Sequence, residues 1–279
     1  MAKIPELKSQ YIWLVVLIVY VVPVLTPIGA PFEMSDITIE IWNFIEDLPE
    51  GSIVVIGGAY VFAFDLESSA ALIACLKQMA RNGLRVVNAP FAVEAVQFHK
   101  YCIDAARVDE KQGGPWKYGR DYVQLPYMPG GSAAYVAFLE DVHSAVSTDV
   151  AGTPLSELPL MNDFHNYEDV AVWVCPHWAF DQVVRYAVSE RNVPGIYFAQ
   201  AAAYAGYSPY MMMYPGMVWM TNGFLGGAQY EKLEGVPGLG YAVVDAYAIM
   251  SAVYIIFVVL GNITMLSKMG EEGEEMEEI

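Results

Sequence analysis

Two stretches of the chain carry almost no polar positions, and the segment between them switches repeatedly between period-2 and period-3.6 patterns. Tyr11 to Ile28, YIWLVVLIVYVVPVLTPI, runs 18 positions without a charge, close to the minimum that crosses a hydrocarbon core. Tyr11 and Trp13 stand where amphipathic rings meet an interface. Pro23 and Pro27 fall in the last turns, where they end or kink a helix rather than break its centre. Lys3 and Lys8 would also suit a signal peptide, but no A-x-A-like cleavage site follows, so the sequence predicts an uncleaved anchor. The second stretch, Tyr241 to Leu266, contains one charge, Asp245, in its first turns, where headgroups or water can reach it. Ala242, Ala246, Ser251 and Ala252 offer a surface for close helix packing. The expected layout is a basic segment over 1–10, a span over 11–28, a domain over 33–235, a span over 241–266 and a solvated acidic tail over 267–279.

Within the domain, Ile37, Ile41, Phe44, Ile45 and Leu48 repeat at helical spacing behind a Ser35 or Asp36 cap. SIVVIGGAY then reads as a strand buried on both faces. A helix follows from Asp65 to an Asn82-Gly83 stop, then a strand in LRVVNAP and a helix from Val93 to Arg107. DYVQLPYM is a third strand, and Pro129-Gly130-Gly131-Ser132 opens a helix running to about Val146. EDVAVWVCP, the helix Phe180 to Glu190, and the strand GIYFAQAA complete the alternation. Five repeats of strand and helix predict a Rossmann-like α/β fold, a doubly wound parallel sheet of about five strands, flanked by two transmembrane helices. Residues 209–231 are dense in Met, Tyr and Gly. Tyr210, Met211, Met212, Met213, Tyr214, Met217, Trp219 and Met220 need cover from the domain's own core, from lipid or from a neighbouring subunit.

Charge narrows the partners. A net charge of -18 disfavours nucleic acid, which is bound by releasing counterions to Lys and Arg, and flat adsorption to anionic lipid. Cys75, Cys102 and Cys175 are widely spaced and odd in number, so they read as small buried apolar residues rather than a disulfide framework. The basic residues flanking the spans place both termini in the cytoplasm and the domain outside it.

The segments LPEGSIVVI, YGRDYVQLPYMPGGSAA, STDVAGTPLSELPLM and GFLGGAQYE resemble an uncharacterised family of bacterial and archaeal membrane proteins. That family has a helix–domain–helix plan and the motifs K-Y-G-x-D-Y-V-x-L-G-Y-x-P-G-G, D-x-x-G-T-P and G-L-L-G-G-L-K-G-A-A-E-Y-E. This chain departs from them at Pro126, where the family has Gly, and at Gly227-Ala228-Gln229, where a longer run is expected. The resemblance implies the architecture and supplies no activity.

Ligands of an open parallel sheet bind outside the carboxyl ends of its strands. The residues expected there are Gly57, Gly58, Asn88, Gly130, Gly131, Ser132, Cys175 and His177, with Gln200 after the fifth strand. Gly130, Gly131 and Ser132 open a helix and could hold an anion, with Lys117 and Arg120 shortly before. Glycines are equally what a tight strand-to-helix turn requires. The sequence has no G-x-G-x-x-G after the first strand, no G-x-x-x-x-G-K-[ST] and no G-x-S-x-G. The Cys175–His177 pair and the group Asp163, His165, Glu168 and Asp169 lack the paired spacings of zinc sites, and no metal or cofactor is expected. The function these features point to is a membrane-anchored α/β binding or assembly module, self-associating and without catalysis. The alternative is an anchored enzyme or sensor for a small anionic, phosphorylated ligand at the carboxyl edge.

Overall fold

The computed structural model describes residues 9–58, 65–176 and 178–277. His177, Ala59 and the basic residues Lys3 and Lys8 lie outside the described residues. The chain divides into two units, Glu33–Gly240 and a second made of Met1–Phe32 with Tyr241–Ile279.

Glu33–Gly240 is built on six parallel strands: β1 Ile53–Gly58, β2 Arg85–Pro90, β3 Tyr122–Gln124, β4 Val170–Cys175, β5 Gly195–Ala199 and β6 Val218–Asn222. They lie in the order β3-β2-β1-β4-β5-β6, so the winding direction reverses between β1 and β4. Side chains alternate between two buried clusters, as a sheet covered on both faces requires. Val55, Val87, Val123, Trp173 and Tyr197 point to one face, and Val54, Val86, Val172, Ile196 and Trp219 to the other.

The helices of this unit are α2 Asp36–Glu46, α3 Asp65–Arg81, α4 Ala95–Ala106, α5 Ser132–Glu140, α6 Val142–Ala145, α7 Phe180–Val183, α8 Ala201–Tyr207, α9 Pro209–Met213 and α10 Gly223–Glu234. Residues of α2, α3, α4 and α10 join the Trp219 face, and those of α5, α6, α7, α8 and α9 the Trp173 face. The unit is thus doubly wound, as the alternation predicted, but with six strands instead of about five. The additional strand, VWMTN, lies inside the Met/Tyr/Gly-rich segment. Its three apolar residues before Thr221 and Asn222 are too few to give a periodicity that separates strand from helix. The helix expected from 132 to about 146 breaks at Asp141, whose extended backbone (φ -157°) caps α6 and whose carboxylate accepts from Ser144 N at 3.0 Å.

Two helices complete the described chain, α1 Ser9–Leu25 and α11 Leu239–Glu277. Leu239–Leu266 is 28 residues long and contains an 18-residue window of mean hydropathy 2.3, long and apolar enough to cross a membrane. The first apolar helix is shorter than the span expected over 11–28: it stops at Leu25 after 17 residues. The residue before Pro27 is steered out of the helical region. Among the described residues one helix therefore meets the length requirement.

Asp245 does not face headgroups or water. It is 1% exposed, and its carboxylate accepts three backbone N–H bonds, from Ile28 (2.5 Å), Gly29 (2.8 Å) and Ala30 (2.6 Å). Gly29 supplies the positive φ (+77°) that turns those three N–H groups toward one acceptor. Phe32, two residues after Ala30, and Tyr241, four before Asp245, meet edge to face at 5.2 Å.

Candidate functional site

The carboxyl ends of β1, β2, β4 and β5 bring Gly57, Gly58, Asn88, Cys175 and Gln200 to one edge of the sheet. Gly57, Cys175 and Gln200 each have a local account. A Cβ on Gly57 would stand 2.4 Å from the Ala89 carbonyl oxygen and 3.3 Å from the Trp173 ring. The Trp173 indole N–H donates to the Gly57 carbonyl at 3.0 Å. Close packing, rather than access for a phosphate, therefore demands this glycine. Trp173 is the centre of an aromatic group with Phe91, Tyr135 and Phe138, whose rings lie 5.8–6.0 Å from it. Cys175 is buried and outside any disulfide, as are Cys75 and Cys102. Burial pushes the Cys75 thiol up to about 12, which makes it a packing group rather than a nucleophile. Gln200 is buried and ties two strand ends together: it accepts from the Tyr197 hydroxyl at 2.7 Å and donates to the Pro176 carbonyl at 3.2 Å.

Asn88 is different. It is 1% exposed, and its side-chain N–H₂ has no hydrogen-bond partner. Register puts it between Ile56 on β1 and Gln124 on β3, so its carboxamide shares a face with that of Gln124, which is 7% exposed. A buried amide without an acceptor costs about 1–3 kcal/mol.

The anion cradle expected around Gly130 does not assemble. Lys117 and Arg120 precede β3 and Gly130 follows it, which puts them at opposite ends of the strand, roughly 10 Å apart for three residues. Arg120 is engaged by its neighbour Asp121 at 2.7 Å, and Asp121 also accepts from the Lys117 backbone. Gly130 (φ +121°) and Gly131 (φ +55°) make the turn into α5. The first-turn N–H groups of Ala133 and Ala134 already donate to the carbonyls of Gly130 and Gly131. The Ser132 hydroxyl donates to Gln182 Oε1 at 2.7 Å, joining the starts of α5 and α7. The group Asp163, His165, Glu168 and Asp169 is also divided. Asp163 pairs with Arg85 at 2.6 Å, while Asp169 accepts from the His165 and Asn166 backbones in a local cap. Among the described residues no three His, Cys, Asp or Glu side chains are placed to hold a metal.

The motif residues are engaged in internal hydrogen bonds. The Tyr118 hydroxyl donates to Asp149 Oδ2 at 2.7 Å, while Asp149 Oδ1 takes the N–H groups of Ala151 (2.9 Å) and Thr153 (2.8 Å). The Tyr122 hydroxyl donates to Asp109. Burial and these carboxylates push both phenols well above their ordinary range. In α10, Gln229 accepts from Thr38 and donates to the Glu33 carbonyl, both at 2.8 Å. The Tyr230 hydroxyl donates to Gln78, and the Glu231 carboxylate accepts from Gly238 (3.0 Å) and Gly240 (2.9 Å). Gly227 lets α10 touch α3, since a Cβ there would stand 2.6 Å from that of Ala70. Comparison of the chain with protein-family models, with curated proteins and with solved structures finds no match.

The Met/Tyr-rich residues divide by depth. Trp219 and Met220 are core positions of β6. Tyr210, Met211, Tyr214 and Met217 pack half-buried on the Trp173 face. Met212 and Met213 are 81% and 61% exposed.

Proposed function

We propose that this protein is a membrane-anchored α/β binding or assembly module that self-associates and carries no catalysis of its own. The observation that carries the reading is the bare surface of α11. Tyr254, Ile255, Ile256, Val259, Ile263 and Leu266 are exposed along a helix of spanning length, and an apolar surface of that extent is stable only under lipid or protein. On this reading α1 is a second, shorter span, both termini are cytoplasmic and the α/β unit lies on the other side. The resemblance to a membrane-protein family of helix–domain–helix plan accords with it. At the carboxyl edge, the polar groups of Ser132 and Gln200 are spent on other protein groups, which favours binding by surface over chemistry in a cleft. Alkaline carbonate extraction of vesicles tests the anchoring. The full chain should stay in the pellet, and its release would overturn the proposal.

One observation favours the second reading, an anchored sensor or enzyme for a small anionic ligand: the unpartnered buried N–H₂ of Asn88, a donor in the carboxyl half of β2, beyond whose end ligands of such sheets dock. Phosphorylated metabolites and nucleotides would then raise the melting temperature of the detergent-solubilised full chain, and Asn88→Leu would abolish the rise. Absence of any rise removes this reading.

A further inference from the structure

From Asn192 to Tyr230 the chain runs 39 residues without Asp, Glu, Lys, Arg or His, in a protein of net charge -18. Much of that run is core, in β5, β6 and α10. The outward sides of α8 and α9 are not core. Ala201, Ala202, Ala205, Gly206, Met212 and Met213 all lie exposed there, and none is charged. At its margin Glu67 accepts from the Ala201 N–H at 2.7 Å as α8 begins.

We propose that this uncharged surface of α8 and α9 is where a second copy of the chain docks. The inference rests on the self-association proposed above and names its contact. Two identical molecules meeting about a twofold axis set the same patch against itself. For a chain this acidic, most patches paired with themselves oppose carboxylate to carboxylate, which costs free energy. A patch without charge escapes that cost. A basic partner would gain more from the acidic faces than from this one, so charge selects a second copy over a basic protein. Ala and Gly on α8 permit close approach of backbones, and unbranched Met side chains on α9 adapt to the facing surface.

The experiment uses the full chain in detergent. Light scattering should give a dimer or higher oligomer for the natural sequence. Met212→Glu with Met213→Glu should raise its dissociation constant at least tenfold while leaving the melting temperature unchanged, since both side chains are exposed. Met212→Cys should form a covalent dimer with a short bis-maleimide, the three native thiols being buried. If the natural chain is monomeric at all concentrations, self-association itself fails and this contact with it. If it self-associates but the double variant does so equally well and Met212→Cys does not cross-link, the contact assigned here is wrong and the self-association stands.

Discussion

Acid should weaken this fold through two residues that titrate differently. Glu46 accepts both the Arg81 guanidinium (2.9 Å) and the Gln78 amide (2.9 Å). The hydrogen bond from Arg81, with that of Gln78, holds its carboxyl at about 2 against an ordinary 4.5. A depressed carboxyl stabilises the fold fully above its unfolded value and loses that contribution as pH falls from 4.5 toward 2. Solvent screening keeps it to about 1 kcal/mol. His99 acts at higher pH. Burial holds its imidazole neutral down to about 3, against an ordinary 6.5. The unfolded chain takes up a proton below 6.5 that the folded chain refuses until about 3, so stability falls as pH drops through that window. Between pH 7 and pH 5 the natural protein should lose about 2 kcal/mol from this one residue. His99→Leu should flatten the denaturant midpoint over the same range, and an equal loss in the variant would refute the assignment.

Elements here are joined by single side chains that reach far along the sequence. Asp245 gathers the N–H groups of residues 28–30 onto α11, and Glu231 gathers those of Gly238 and Gly240 at its start. Asp245→Leu leaves three donors without their acceptor, at about 1–3 kcal/mol for each that water cannot reach. Chymotryptic cleavage after Phe32 in detergent should then quicken at least tenfold, with Asp245→Asn in between. Equal rates in all three would show that the carboxylate holds nothing. Gly227→Val should cost about 1–3 kcal/mol by forcing α10 off α3, measured as a lowered midpoint of thermal unfolding. These joints also mark where the sequence stops being legible. Five strands were readable because each is a short apolar run set between turn residues. The strand of Val218–Asn222 was hidden by its shortness inside the Met/Tyr/Gly-rich segment, although Pro215-Gly216 and Asn222-Gly223 flank it as turn signals. The roles of Gln229 and Tyr230 carried no signal in the sequence, because partners such as Thr38 and Gln78 lie more than 150 residues away. Lys117 and Arg120 looked close to Gly130 only because sequence distance conceals which end of a strand a residue occupies.

At the scale of the whole molecule, the proposed anchoring turns on how many times the chain would cross a bilayer. The apolar part of α11 has the length to span alone. The 17 residues of α1, at about 1.5 Å each, reach roughly 25 Å, short of a core of about 30 Å. A short apolar helix can still cross where the bilayer thins around it, at a fraction of a kcal/mol per Å of mismatch. The basic residues favour that arrangement: Lys3 and Lys8 precede the first apolar stretch, and no Lys or Arg follows it until Lys77. A cysteine scan distinguishes the two cases, because the native thiols are buried. A Cys at exposed Val93 should react with a membrane-impermeant maleimide in intact cells. A Cys at Ala2 and one at the last residue, Ile279, should react only after permeabilisation. If Ala2→Cys labels together with Val93→Cys while the C-terminal position stays protected, α11 alone crosses and α1 lies on the same side as the domain. If Val93→Cys is the protected one, the domain is cytoplasmic and the charge bias has been misread.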